Sequence, residues 1–190
     1  MKIVRRIMSG IGTLLVLLLI VAAILWVYYG GLTTIMFSNP VQGGEILIYK
    51  EVVGDYSNTG VITEEVYEEL KNMGIETFSG FGIFYDNPDD VERNKCRSDV
   101  GCILEPKDKD KLPEIEKHFK VKVFPVAQYT STNFPYKGML SMLVGMWKVY
   151  PAIKIIQKEQ NPLYKEGPIM EIYNMQDSVI SYRLCGDCKL

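Results

Sequence analysis

The sequence predicts an α+β domain in which duplicated strand-helix-strand-strand units form one antiparallel sheet with two helices on one face, preceded by a single transmembrane helix. Three observations carry this expectation. Residues Ile7 to Tyr29 hold no charge, an amphipathic segment lies between β-rich runs, and the same order of elements returns about 80 residues later.

The uncharged stretch reads IMSGIGTLLVLLLIVAAILWVYY, and its length of about 23 residues suffices to cross a hydrocarbon core of roughly 30 Å as a helix. Lys2, Arg5 and Arg6 lie in the tail before it, residues 1–6, while Trp26, Tyr28 and Tyr29 stand at its far end, where aromatic rings favour the headgroup layer. The charge bias predicts a cytoplasmic N-terminus and an extracytoplasmic domain. A secretory signal has a shorter apolar core and a small-x-small cleavage site, so an uncleaved single-pass anchor over 7–29 is expected.

Setting aside the three basic residues of the tail leaves 18 Lys and Arg against 23 Asp and Glu, a net charge of −5. Such a surface repels phosphate backbones, which argues against a nucleic-acid partner. The charges are interspersed among plentiful apolar residues, as in a packed domain.

Gly30 to Gly44, with two glycine pairs and Asn39 before Pro40, reads as a linker, and the domain is expected over 45–190. EILIYKEVV from Glu45 has strand composition. Ile62, Val66, Leu70 and Met73 fall at helical spacing, with the glutamates Glu64, Glu65, Glu68 and Glu69 mostly away from them. TFSGFGIFY and CRSDVGCIL read as strands, and DKLPEIEKHF as a short helix with Pro113 near its first turn. The order then recurs: VKVFPVAQYTSTNF extended, YKGMLSMLVGMWKVYPAIKIIQKE a helix kinked or broken at Pro151, PIMEIYNM and SVISYRL two strands. The repeat halves are placed at 45–105 and 119–185. Asp55-Tyr56 and Pro135-Tyr136 each precede a helix, and aligning GIFYDN with MEIYNM sets Tyr85 against Tyr173.

Several chemistries are disfavoured. YDNPDDVER lacks the glycine that a calcium loop needs at its sixth position, and Asp86-Asn87-Pro88 is a turn signal, so a hairpin connection is expected. Cys96-x5-Cys102 is mis-spaced for a zinc knuckle, and His118 supplies no fourth-ligand pattern, so neither a metal nor a cofactor is expected. Cys185-Gly-Asp-Cys188 has no helix following it to activate a thiol. In an extracytoplasmic domain, four cysteines favour one or two disulfides, and their pairing is open. There is no G-x-S-x-G and no second histidine for a relay. Gly80 and Gly82 lie inside a strand, where they would let a helix approach closely.

Glu171 stands out. It shares a strand face with Tyr173, and the repeat alignment adds Phe81, Ile83 and Tyr85 to that face. A carboxylate among aromatic rings suits an organic cation; an ordinary exposed strand face is the plain alternative. A second alternative is hydrolysis, with Glu171 as a general base whose pKa is raised by an apolar wall.

These units, with DYSNTG and FPYKGM before the helices and MEIY in the last repeat, resemble the GyrI-like small-molecule-binding domain over Glu45 to about Leu184. The resemblance implies a pocket on the concave sheet face between the two repeats that holds lipophilic, often cationic molecules. Phe81, Tyr85, Tyr136, Glu171 and Tyr173 would line it. Within that group, YDNPDDVERNKCRSDVGCIL, FPYKGMLSMLVGMWKVYPA and MEIYNMQD are similar to the testis-expressed ER-phagy receptor family, which also has an N-terminal membrane helix. That family's receptors act through a long tail bearing a motif for a ubiquitin-like protein, whereas the sequence ends at Leu190, and Tyr67 and Leu70 of EEVYEEL lie on the expected amphipathic helix. The expectation is therefore a simpler relative comprising an anchor and a sensor domain, more readily a binder than an enzyme. A scaffold that recruits a protein partner is the third reading.

Overall fold

A computed structural model describes residues 2–160 and 167–185. An N-terminal helix, α1 (Lys2–Tyr28), leads into β1 (Val41–Gln42) and β2 (Ile46–Val53). Then come α2 (Thr59–Asn72), β3 (Ser79–Phe84), β4 (Arg97–Ile103), the short α3 (Leu112–Ile115), β5 (Lys120–Val123) and β6 (Ala127–Gln128). The chain closes with β7 (Thr130–Pro135), α4 (Met139–Gln160), β8 (Ile169–Asn174) and β9 (Val179–Leu184).

Seven strands form one antiparallel sheet in the order β5-β2-β4-β3-β8-β9-β7. The connections within β2-α2-β3-β4 and β7-α4-β8-β9 follow the same path, and the two sets meet where β3 pairs with β8. The turn between β3 and β4 is the hairpin that its Asp-Asn-Pro signal calls for. Asn87 caps it by accepting from the Asp89 N–H, and Asp86 closes it with a two-pronged pair to the Arg97 guanidinium. That guanidinium holds the Asp86 carboxyl below the usual carboxylate range.

α2 lies where the apolar spacing puts it, burying Val66 and Leu70 against Ile48 and Cys102. Gly80 does admit this helix, since a β-carbon there would sit 3.2 Å from Thr63 Cγ2. α4 packs Val149 and Ile153 against Ile180 and Tyr182, and it runs through Pro151 as one helix. The proline ring nonetheless denies the Trp147 carbonyl its helical donor.

The run VKVFPVAQYTSTNF is not one strand. Pro125 cannot donate to a ladder, and around it the chain leaves β5 at one edge of the sheet and enters β7 at the other. Seven residue steps span at most about 25 Å, whereas six strand spacings of a flat sheet need about 29 Å. The sheet therefore curls, and the crossing residues lie over its concave face. There Phe124 and Tyr129 stack at 5.2 Å and pack with Leu47, Phe81, Met170 and Ile172.

Segment 30–44, read from sequence as a linker, is docked on the domain. Ser38 bridges Ser131, β1 pairs with β6, and Ile35 and Phe37 pack on the cluster beneath α4. Cys96 and Cys102 are buried free thiols, burial pushing the latter up to about 11. Cys185 is also buried, and Cys188 lies outside the described residues.

Candidate functional site

The strand register decides which residues share a face. Phe81 is directly opposite Ile172, and Gly82 is opposite Glu171. Glu171 and Tyr173 therefore stand on the face that α4 covers, while Phe81 and Tyr85 stand on the concave one. The common face expected for these four is thus corrected: aligning Tyr85 with Tyr173 is one residue out of step, and one step reverses a strand's faces. Phe84 is the residue on the Tyr173 side. It packs edge-on against Tyr56 at 4.8 Å much as Tyr173 packs against Tyr136 at 6.2 Å.

On the α4 face, Glu171 is 4% exposed and sits centrally in β8. Tyr150, from α4, donates its hydroxyl to Glu171 Oε1, and Tyr173 donates to Oε2. Tyr182, on the neighbouring strand opposite Glu171, meets the Tyr150 ring edge-on at 6.2 Å. Burial raises the Glu171 pKa, and the two tyrosine hydrogen bonds oppose that rise. Burial and then the adjacent carboxylate push Tyr150 and Tyr173 well above the ordinary phenol value, so both remain donors. Among the described residues no cation pairs with Glu171.

Glu171, Tyr173 and Tyr136 are the site residues expected from sequence that lie here; Tyr150 and Tyr182 are not among those expectations. Tyr150 was concealed in an apolar helix, where periodicity does not distinguish a carboxylate partner from a packing residue. Tyr182 could have been found from strand pairing alone, once β9 follows β8 by a tight turn.

On the concave face, Tyr85 belongs to a different group. Its hydroxyl donates 2.7 Å to Asp99 Oδ2, which also pairs with Lys122 at 2.6 Å. The Lys122 ammonium lies 4.8 Å from the centre of the Tyr49 ring. Phe81 is 1% exposed beneath the crossing segment. At the far end Arg183 pairs with Glu45 at 2.8 Å and lies 5.9 Å from the Phe124 ring. Phe124 and Tyr129 thus fill the concavity with side chains of the chain itself. Among the described residues no group of histidine, cysteine and acidic side chains is arranged to hold a metal.

In fold the chain is similar to SAV2435 solved bound to tetraphenylphosphonium, with a TM-score of 0.51 and 10% identity over 80% of this chain and 93% of that one. The EcmrR–DNA complex gives a TM-score of 0.50 and 11% identity over 80% of this chain and 56% of the other. The chain therefore has the GyrI-like fold. No family model matches it. In sequence it is homologous to testis-expressed protein 264 from Homo sapiens, 31% identical over 169 residues, and to its homologue from Mus musculus, 31% identical over 161 residues. These matches take in 84% and 80% of this chain, which spans about half the length of the curated relatives it matches.

Proposed function

We propose that this chain is a membrane-anchored GyrI-like domain that binds a small lipophilic cation at Glu171. Its two halves are read as duplicated units with both long helices on one sheet face, and α1 as a single-pass anchor. The observation that carries the binding reading is a buried carboxylate that accepts from Tyr150 and Tyr173, with Tyr182 opposite it and Tyr136 against the Tyr173 ring, and with which no cation among the described residues pairs. An anion left without a counter-charge in an apolar interior costs stability, and a cation delivered by a ligand would recover it through charge pairing and the faces of the rings. The tetraphenylphosphonium bound to SAV2435 has that chemistry.

Entry runs beneath α4, because the concave cleft is already filled by Phe124 and Tyr129. One feature lends α4 the freedom to shift: Pro151 follows Tyr150 directly and interrupts the hydrogen-bond ladder. The ligand would exchange places with the Tyr150 and Tyr173 hydroxyls at the carboxylate. A hydrolase using Glu171 as base has less behind it, since both carboxylate oxygens already accept tyrosine hydroxyls.

The test is equilibrium titration of the full chain in detergent with tetraphenylphosphonium, beside Glu171→Gln. The expected result is saturable binding weakened about ten-fold or more in the variant. Equal affinities would remove Glu171 from the site.

A further inference from the structure

We propose that the outer face of α4 lies in the headgroup layer of the same membrane that α1 enters, so that the domain rests flat on the bilayer rather than standing off it. This rests on reading α1 as a membrane span. Met139, Leu140, Leu143, Met146 and Trp147 are all exposed, Met139 at 77% and Trp147 at 71%. Their spacing of one, four, seven and eight residues from Met139 gathers them on one face of the helix. A soluble surface seldom carries so continuous an apolar strip. Met139–Lys158 is also the one described helix besides α1 that is long and apolar enough to pass for a span. Yet its opposite face is committed to the domain through Ser141, Val144 and Val149, so it cannot cross a bilayer and keep those contacts. A helix that is apolar outside, packed inside and about 33 Å long has the form of an interfacial helix.

The attachment of α1 places that strip beside the membrane. The Lys137 ammonium lies 4.3 Å from the Tyr28 ring, and Lys148 Nζ donates 2.6 Å to the Gly31 carbonyl. Gly30, at φ +94°, is pressed so closely that a β-carbon there would lie 2.7 Å from Phe134 Cζ. Tyr29 joins the cluster under α4. The end of the span is therefore clamped to the first three turns of α4 with no slack between them. Lys137 and Lys148 sit at the level where ammonium groups reach lipid phosphates, and Trp147 at the level that indole rings favour.

The chain's two tryptophans make the test internally controlled. The full chain is reconstituted in phosphatidylcholine vesicles containing lipid brominated near the headgroup. Trp26→Phe leaves Trp147 as the only indole, and Trp147→Phe leaves Trp26. Bromolipid should reduce Trp147 emission about two-fold or more, as for an indole at the interface, and aqueous iodide should quench it weakly. Quenching of Trp26 but not Trp147, with Trp147 open to iodide, would overturn the proposal while leaving the span intact. Protection of Trp147 from both quenchers would mean that a second copy or another protein covers the strip, and would overturn it as well. Failure of bromolipid to reach Trp26 would remove the span itself.

Discussion

Tyr150→Phe removes one hydroxyl and nothing else, yet leaves Glu171 Oε1 without its donor in a site that water does not reach. A hydrogen bond to a buried charged group contributes about 1.5–3 kcal/mol, so the variant should lose that much stability at a pH where Glu171 is ionised. For a chain of this size each kcal/mol moves Tm by about 2–4 °C, giving a fall of about 3–12 °C in calorimetry of the full chain in detergent. The loss should depend on pH with a definite sign. Burial places the folded-state pKa of Glu171 above its unfolded value, so the folded protein holds the proton more tightly than the unfolded one does. Stability linked to Glu171 is therefore greatest in acid and declines as pH rises from the unfolded pKa through the folded one. Without Tyr150 the folded pKa rises further and the decline continues to higher pH. The gap between wild type and variant should thus widen as pH rises through the folded-state pKa values. A gap below about 0.5 kcal/mol where Glu171 is ionised, or one that stays constant as pH rises through those values, would refute the assignment of Tyr150 as the carboxylate's partner.

Glu171→Gln should abolish the decline itself: relative to the variant, wild type should lose up to about 1.4 kcal/mol per pH unit between the unfolded and folded pKa values, and parallel stability curves would contradict this. Asp99→Asn leaves the Lys122 ammonium without its counter-charge beside Tyr49 and Tyr85. It should cost about 3 kcal/mol in denaturant titration, the low end for a broken buried pair because a fifth of Lys122 remains exposed. Phe124→Ala should cost about 3–5 kcal/mol, since it empties the centre of the concave face; a loss under 1 kcal/mol would mean that the crossing segment does not fill it.

The features that sequence exposed were those with a local period. Val66 and Leu70 mark α2 by helical spacing, Asp86-Asn87-Pro88 marks the β3–β4 turn, and the alternation of MEIYN marks β8. What it concealed depended on contacts distant in the chain. Pairing Gly82 with Glu171 is a property of two strands about 90 residues apart, and a one-residue error in matching the halves carried Phe81 and Tyr85 to the wrong face. Phe124-Pro125 did carry a break signal, but nothing local says that the chain crosses there from one sheet edge to the other. Ile35, Met36 and Phe37 form a short apolar run within 30–44, which hinted that this segment is docked rather than free. Tyr150 offered no signal at all, because its partner is supplied by the fold.

The most direct measurement is native mass spectrometry of the full chain purified gently from its source cells, wild type beside Glu171→Gln. The expected result is a small cationic mass bound to the wild type and missing from the variant. A wild type that emerges empty, or a bound mass that persists unchanged in Glu171→Gln, would contradict it.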